Sequence, residues 1–317
     1  MPTEAARNQE SETRQYVTEA GFPFRLRLVR WVGRQTWIPR GQDRLLRWLL
    51  KPEDCGHFLF EVDFFGQRYR GDLAHYIDWL VFCYGSAAMS ELTLLRGIAK
   101  AVRSRNPGPV IFLDIGANAG HHTLFMAAHA DRVLAFEPYP PLQDMIRDKI
   151  KLNGLTNVGV MPFGLGEEDA VLDYYPGGGN SGVGTFLPDV EEMRANPVKL
   201  SIRNGDSLLE QHGLGRLTLL KVDVEGFEAA VFRGLSRRIR QDQPVILTEL
   251  TEESRKHFGS EEGFRQAFYP GAEIMTVTGR HGCTFQLREF KYESDLEVLI
   301  LPGTMGWLKE ALLQAKT

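Results

Sequence analysis

The stretch from Val110 to Gly120, Val-Ile-Phe-Leu-Asp-Ile-Gly-Ala-Asn-Ala-Gly, constrains the fold of this chain more than any other. Its uninterrupted run of β-branched and aromatic residues is typical of a strand covered on both faces, as in the middle of a parallel sheet. Gly116 and Gly120 then allow a tight turn and a close approach of a ligand to the backbone. A helical run begins at His121, and the N-terminus of a helix attracts polar and anionic groups. The stretch therefore predicts a cofactor-binding loop that consists of Gly116, Ala117, Asn118 and Gly120.

The residues around this loop narrow the kind of cofactor. A dinucleotide-binding fingerprint has glycine where this chain has Asp114, and the G-K-[ST] ending of a phosphate-binding loop is absent. An acid at the tip of the strand repels a pyrophosphate but pairs with an ammonium group. The next predicted strand ends in Glu137, whose carboxylate can accept hydrogen bonds from both hydroxyls of a ribose. Together they indicate S-adenosylmethionine, and Asp114 argues against the rival interpretation, a nicotinamide-dependent oxidoreductase.

Composition excludes several classes of protein. The 317 residues are 43% hydrophobic and 25% charged, as in an ordinary soluble protein. A net charge of −4 gives no reason to expect nucleic acid as a partner. The three cysteines are odd in number and widely spaced, which favours neither a disulfide framework nor a zinc site. A polar start and the absence of a long apolar run lead us to expect a cytoplasmic protein.

Changes in composition along the chain predict three regions. Residues 1–20 are polar and aperiodic, so we expect them to be disordered. Residues 21–106 are predicted to form an N-terminal extension of helices and a β-hairpin, and residues 107–317 the S-adenosylmethionine-binding domain. Between Phe24 and Lys51, arginines alternate with leucines and tryptophans, which indicates two short amphipathic helices. We prefer a cap on the main domain with solvated arginines; contact with a membrane surface or an acidic partner is the alternative.

Strands and helical runs alternate after residue 107, which predicts an α/β fold with a mostly parallel sheet. The predicted strands are residues 110–114, 133–136, 158–163, 217–223, 245–249, 284–287 and 296–301. An insertion between the third and fourth strands, residues 169–203, contains the glycine-rich run 176–184. This insertion is either a lid over the cofactor or the tip of an exposed hairpin.

A second group of charged residues ends the fourth predicted strand. Residues two apart share one face of a strand, so Lys221, Asp223 and Glu225 are expected to point the same way. Charged side chains at the end of an apolar strand need a cleft or a charged partner, and the cleft of an open α/β sheet lies beyond the carboxyl ends of its strands. Glu249, which ends the fifth strand, is expected at the same rim. A structural ion pair is the alternative interpretation, and it does not exclude a site.

Four segments together resemble the FkbM family of S-adenosylmethionine-dependent methyltransferases. They are Asp114–Gly120, Phe136–Pro138, Asn180–Gly182 and Leu220–Glu228, and the similarity extends from about Phe58 to Leu301. The resemblance implies a class I methyltransferase fold, Rossmann-like, with helices on both faces of a seven-stranded sheet whose last pair is antiparallel. It also implies O-methylation of a hydroxyl on a sugar or a polyketide-type natural product. The residues before Asp206 depart from the family's pattern, which leaves substrate contacts of that segment open.

Roles for the charged residues follow as hypotheses. An alcohol needs a general base at neutral pH, and Glu225 is the first choice. Lys221 would lower the pKa of the base or acceptor, and Asp223 would position the cofactor or the acceptor. In a less favoured version, Asp223, Glu225 and Glu249 hold Mg²⁺. Lesser candidates are His121 and His122 as proton acceptors, and Glu91 and Asp206 as cofactor contacts.

Two alternatives keep the fold and change the function. The acceptor atom could be nitrogen, or the protein could bind the cofactor without turnover, although a module without turnover has no need of the charged strand end. A small-molecule or glycan acceptor is the expected partner. The sequence indicates no oligomeric state.

Overall fold

An eight-stranded sheet lies at the centre of the computed structural model, which describes residues 15–35, 41–105, 108–176, 184, 186, 196–279, 285–293 and 295–314. Within these residues the strand order is β13-β12-β14-β11-β10-β4-β5-β6. The strands are β4 (Ile111–Ile115), β5 (Arg132–Phe136), β6 (Val158–Met161), β10 (Leu219–Val222), β11 (Val245–Leu250), β12 (Ala272–Gly279), β13 (Phe285–Glu289) and β14 (Leu296–Pro302). From β6 to β11 neighbouring strands are parallel, and β14, β12 and β13 add antiparallel pairs. The predicted mostly parallel α/β sheet is therefore confirmed.

The sheet has eight strands among the described residues, whereas seven were predicted, because β12 was not predicted from the sequence. Its residues, Ala-Glu-Ile-Met-Thr-Val-Thr-Gly, mix polar and apolar types without a continuous apolar run. The strand is held instead by hydrogen-bonded neighbours on both sides, β14 and β13. Pairing supplied by the rest of the sheet overrides a weak local preference.

Helices cover the sheet and bury a continuous apolar core. The helices of this unit are α4 (Met89–Arg105), α5 (His121–Ala127), α6 (Pro140–Asn153), α7 (Gly205–Gln211), α8 (Glu228–Gly234), α9 (Ser236–Asp242), α10 (Glu252–Phe258), α11 (Glu261–Gln266) and α12 (Gly306–Gln314). Leu113, Leu220 and Ile246 of the sheet pack in one cluster with Phe232 of α8 and Phe264 of α11. Full burial of each such side chain contributes about 1.5–3 kcal/mol. This core fixes the carboxyl ends of β4 and β10, where the predicted site residues follow.

The predicted insertion begins and ends in a small separate sheet. Its strands are β7 (Gly164–Gly166), β8 (Ala170–Tyr174) and β9 (Val198–Asn204), in the order β7-β9-β8. Strands β8 and β9 pair antiparallel, so the base of the insertion is a β-hairpin. Of the glycine-rich run 176–184, Pro176 and Gly184 are described, and the other residues lie outside the described part of the chain.

The N-terminal region forms its own compact unit, which ends at Ala87. It contains the two predicted amphipathic helices, α1 (Phe24–Gly33) and α2 (Gln42–Leu49), and the predicted hairpin, β2 (Leu59–Phe64) with β3 (Gln67–Asp72), followed by α3 (Tyr76–Tyr84). Residues 1–20 were expected to be disordered, but Val17 and Thr18 form β1, which pairs in parallel with β2. The first 14 residues lie outside the described residues.

The boundary between the two units also differs from the prediction. It lies between Ala87 and Ala88, so α4 belongs to the C-terminal unit rather than to the extension. The reason is packing: α4 lies against α12 and against β12 and β13. α4 ends at Arg105, inside this unit, so the predicted boundary after residue 106 is wrong. Among the described residues no helix is long and apolar enough to cross a membrane.

Candidate active site

The loop between β4 and α5 is tied to the end of β5 by its own backbone. The amides of Gly116 and Ala117 each donate to the carbonyl of Phe136, at 3.0 Å. Asn118 has a left-handed backbone, with φ of 51°. Its amide donates to a carboxylate oxygen of Glu137, at 2.9 Å. The predicted cofactor loop is therefore a preformed element that holds the end of β4 against the end of β5.

The two glycines of the loop are required by packing. A Cβ on Gly116 would lie 1.8 Å from the carbonyl oxygen of Asp223, and one on Gly120 would lie 2.9 Å from the side chain of Ile146. Both glycines also have φ near +80°. The sequence predicted that a ligand would approach these glycines closely. In the structure, Asp223, which directly follows β10, approaches Gly116, and Ile146 of α6 approaches Gly120.

Glu137 has the environment of a ligand-binding carboxylate. It is 5% exposed and lines the cleft described below. One carboxylate oxygen accepts from the Asn118 amide and the other from the Tyr139 amide, both at 2.9 Å. Burial raises the pKa of Glu137 to about 7, against the opposing effect of these two amides. Each oxygen has a second lone pair, so two further donors on one ligand can be accepted.

The position of Asp114 differs from the prediction. Its side chain is buried, its Oδ2 accepts from the Thr123 hydroxyl at 2.5 Å, and it is not among the residues that line the cleft. Burial raises the pKa of Asp114, while the ammonium of Lys221, on the neighbouring strand, lowers it. Direct contact with the ammonium of a cofactor is therefore not supported for Asp114. Asp223, which follows the neighbouring strand β10, does line the cleft.

A cleft of about 680 Å³, which includes space open to solvent, lies beyond the carboxyl ends of β4, β5 and β10. The polar residues that line it are Asn118, Glu137, Asp223 and Glu225. Its apolar lining residues include Phe136, Leu142, Tyr174, Phe186 and Phe227. A cleft lined by both polar and apolar side chains suits an amphiphilic ligand such as a nucleoside.

Aromatic residues form one wall of the cleft, and this wall was not predicted from the sequence. Ring centroids of Tyr139 and Tyr174 are 5.5 Å apart, those of Tyr174 and Phe186 are 5.1 Å apart, and those of Phe186 and Phe227 are 5.5 Å apart. A Cβ on Gly184 would meet the Tyr174 hydroxyl. The described parts of the insertion therefore reach the cleft, and the available signal in the sequence was Phe186, which follows the glycine-rich run.

The charged strand end is formed partly by a strand and partly by a turn. β10 ends at Val222, and the ammonium of the buried Lys221 lies 2.7 Å from Oδ2 of Asp223. The predicted common strand face for Lys221, Asp223 and Glu225 is wrong for Glu225, because Glu225 and Gly226 form a turn with φ of 52° and 100°. Glu225 lines the cleft from this turn.

Glu225 combines backbone strain with an unusual electrostatic environment. A left-handed backbone at a residue with a side chain costs of order 1–3 kcal/mol, and such residues cluster at functional sites. Partial burial raises the pKa of Glu225 to about 8, and the carboxylates of Asp223, Glu249 and Glu228 push it the same way. A carboxyl with its pKa near neutral is suited to take up a proton at working pH.

Besides Asp114, five carboxylates interact electrostatically with Lys221, and we call them the acidic rim: Glu91, Asp223, Glu225, Glu249 and Glu297. Burial alone lowers the pKa of Lys221, but the rim carboxylates and Asp114 outweigh it and hold the pKa above its ordinary value. Lys221 is thus a fixed positive charge, which fits its predicted role as an electrostatic group.

Glu297 is the rim residue that sequence analysis missed. It lies on β14 directly opposite Glu249 of β11 in the antiparallel register. Burial raises the pKa of Glu297, and the carboxylate of Glu91 adds to the effect. Like charges in directly opposite positions destabilise a sheet, so this arrangement needs a compensating cation or proton. An acid within the apolar run Leu296–Pro302 was the signal.

The lesser candidates have mixed outcomes. Glu91 and His122 lie together, with Nε2 of His122 3.1 Å from a Glu91 carboxylate oxygen. Burial and the ammonium of Lys221 hold the pKa of His122 well below its ordinary value, and burial does the same for His121. The carboxylate of Asp206 accepts from the amides of Arg237 and Arg238 at the start of α9, and Asp206 is not among the residues that line the cleft.

The magnesium version of the site does not fit the geometry. Among the described residues, which include Asp223, Glu225 and Glu249, no group of three or more His, Cys, Asp or Glu side chains is arranged to hold a metal ion. The turn at Glu225 is the reason, because it removes this carboxylate from the strand face that the spacing had predicted.

The acidic rim predicts an unusual dependence of stability on pH. Burial raises the pKa of Glu249 to about 7, with Asp223 adding to the effect. The folded protein therefore keeps a proton that the unfolded chain releases, so this contribution to stability is present in acid and is lost as pH rises through about 7. We expect Glu249→Gln to raise the midpoint of thermal unfolding at pH 8.5 and to leave it nearly unchanged at pH 5.

A matched control for this prediction is Glu252→Gln, since the Glu252 side chain is 76% exposed. It should change the unfolding midpoint little at either pH. An equal gain for Glu249→Gln at both pH values would show that the carboxyl is not protonated in the folded state.

Comparisons with known proteins place methyltransferases among the relatives of this chain. The family model described as the methyltransferase FkbM domain matches residues 114–267. The AMB antimetabolite synthetase AmbE of Pseudomonas aeruginosa is 30% identical over 222 residues, which cover 58% of this chain and 10% of the synthetase. Methyltransferase 1 of Beauveria bassiana is 32% identical over 152 residues, 41% of this chain and 59% of the relative. Hexuronic acid methyltransferase AglP of Haloferax volcanii is 26% identical over 137 residues, 43% of this chain and 54% of the relative.

The match includes all the predicted cofactor-binding and catalytic residues, from Asp114 to Glu249, whereas Glu91 and Glu297 of the acidic rim lie outside it. The chain spans between one tenth and about three fifths of the length of these relatives.

Proposed function

We propose that this chain, which belongs to the FkbM family of methyltransferases, transfers a methyl group from S-adenosylmethionine to a hydroxyl oxygen of a sugar or a polyketide-type natural product. The observation that carries the proposal is the placement of Glu225, a carboxyl with a left-handed backbone and a pKa of about 8, in the lining of the cleft. The same cleft provides groups for each part of the cofactor.

The cleft residues fit S-adenosylmethionine. Glu137 has lone pairs for the two ribose hydroxyls, and the apolar wall of Leu142, Tyr174 and Phe227 suits a purine ring. Asp223 faces the cleft and takes the role of ammonium partner that sequence analysis gave to Asp114. When bound, the cofactor supplies a methyl group on a positively charged sulfur.

The chain's own contribution to catalysis is positioning and removal of a proton. A hydroxyl is a poor nucleophile at neutral pH, and the carboxylate of Glu225 accepts its proton. Lys221, held by Asp223 at 2.7 Å, places a permanent positive charge beside that carboxylate and stabilises its ionised form. In-line placement of the acceptor supplies much of the remaining rate.

The acidic rim restricts the acceptor. Five carboxylates around one ammonium group disfavour a second anion at the same place, so we propose an acceptor without a carboxylate next to the reacting hydroxyl. The relative AglP is named for a hexuronic acid, which supports a carbohydrate as the chemical class. A hexuronic acid itself is an unfavourable acceptor for this chain, because the acidic rim would repel its carboxylate.

A transfer assay with methyl-labelled S-adenosylmethionine tests the function. We expect label in neutral glycosides or polyketide alcohols, at least tenfold less in the matching hexuronates, and no loss of turnover with a chelator. Transfer to amines and not to alcohols would support the N-methyltransferase alternative. Binding of the cofactor with no transfer to any acceptor of the panel would support a module without turnover, and binding of NAD instead would overturn the assignment.

A further inference from the structure

The two amphipathic helices of the N-terminal unit have large apolar side chains on their solvent-facing sides. Trp48 is 77% exposed, Phe24 75% and Trp31 56%. Leu28 and Leu45 are also exposed, at 37% and 39%. On α1 the three positions 24, 28 and 31 fall on one face, at helical spacings of four and three residues. We call these five residues the aromatic patch.

The aromatic patch is a second apolar face, because the other face of each helix is already buried. Leu26, Val29 and Val32 of α1 and Leu46 of α2 are at most 8% exposed. A helix that is apolar on two sides needs a second apolar environment beyond the core of its own unit. The patch is therefore a surface that fits a partner, and the ordinary packing of α1 and α2 does not explain it.

Polar contacts fix the two helices relative to each other. The side-chain amide of Gln42 donates to the carbonyls of Val32 and Gly33, at 2.8 and 3.1 Å. The guanidinium of Arg25 donates to the carbonyl of Leu49. The exposed aromatic residues are thus displayed by a preorganised pair of helices, which lowers the entropy cost of binding.

The charge around the patch identifies the chemistry of the partner. Residues 24–51 contain seven arginines and one lysine against a single aspartate, in a chain whose net charge is −4. Arg27 of α1, Arg34 directly after α1 and Arg44 of α2 are also exposed. The partner must therefore combine an apolar interior with a negatively charged surface.

We propose that α1 and α2 dock on an anionic phospholipid bilayer, with the aromatic patch inserted at the level of the headgroups and the arginines against lipid phosphates. Tryptophan and arginine are the residues that favour this interface. A second copy of the chain fits poorly, since a symmetric contact would place the arginines of both copies against each other. The surface of an acidic protein would match the arginines in charge, but it would not bury the exposed aromatic side chains in an apolar layer.

Co-sedimentation of the full chain with vesicles tests the proposal. We expect binding to phosphatidylcholine vesicles with about one third phosphatidylglycerol, weak binding to phosphatidylcholine alone, and loss of binding at high salt. The double variant Trp31→Ser/Trp48→Ser should lower the partition coefficient at least tenfold. Val171→Ser is the matched control, because Val171 is 61% exposed on β8 and should bind as the parent does.

Each further outcome decides the proposal. Inorganic phosphate at millimolar concentration should not compete with vesicles, whereas full competition would indicate an anion site and overturn the bilayer. No vesicle binding at low salt, or equal binding by the double variant when circular dichroism shows it folded, would also overturn it. A dimer in analytical ultracentrifugation that the double variant dissociates would assign the patch to a second copy.

Discussion

Replacing Glu225 with glutamine should lower kcat by about two to three orders of magnitude, the range for loss of a general base. This corresponds to about 3–4 kcal/mol of transition-state stabilisation. The reason is the placement of this carboxyl: it lines the cleft from a turn and no other side chain combines exposure to the cleft with a pKa of about 8 among the described residues. Affinity for S-adenosylmethionine, measured by titration calorimetry, should change less than threefold.

The pH profile separates a base from a merely structural residue. In the parent, kcat/KM should rise with pH and reach half its limit near pH 8, because only the ionised Glu225 can accept a proton. Glu225→Gln should lose this limb. A parent profile flat between pH 6 and 9, or a variant with the parent's rate, would remove Glu225 from the mechanism.

A second substitution at the same position tests activity independently of folding. Glu225→Gly removes the carboxylate and also the backbone strain, since glycine adopts φ of 52° without penalty. We expect this variant to be as inactive as Glu225→Gln while its unfolding free energy is equal to the parent's or about 1 kcal/mol higher. Loss of activity together with loss of stability would mean that the turn itself requires glutamate.

The sequence was informative where local pattern and global fold agree. The apolar run at β4, the alternation of strands and helices, and the acids that end β5 and β10 each have a signal within a few residues. Glu137 follows β5 and lines the cleft, as expected, because the end of a strand can be read from its residues and strand ends meet at one rim in a parallel sheet; its role as a ribose ligand stays a prediction.

The errors at the site come from long-range packing. Asp114 is buried, where its carboxylate accepts from the Thr123 hydroxyl and interacts with the charge of Lys221 on the next strand. Glu225 leaves the strand face because β10 ends at Val222, which no periodicity rule locates. Glu297 joins the rim only through antiparallel pairing with Glu249, 48 residues earlier in the chain (297 − 249 = 48). Backbone turns and strand pairings of this kind depend on the whole sheet.

Gly116→Ala should destabilise the protein more than any other single substitution considered, with a loss of at least about 3 kcal/mol of unfolding free energy. Two effects add. The backbone has φ of +83°, which costs an alanine roughly 1–2 kcal/mol, and the new Cβ would lie 1.8 Å from the carbonyl oxygen of Asp223. Because that oxygen belongs to the backbone, relief requires β4 and the end of β10 to move apart.

The matched control separates the two effects. Gly154 has φ of +59° and no atom within 4 Å of a built Cβ, so Gly154→Ala carries the conformational penalty alone. Denaturant unfolding of both variants should therefore show a difference of at least about 1 kcal/mol, which measures the contact between Gly116 and Asp223. Since Asp223 lines the cleft and pairs with Lys221, the same contact holds the cofactor loop in register with the acidic rim. Equal losses for the two variants would show that the loop and the rim are positioned independently.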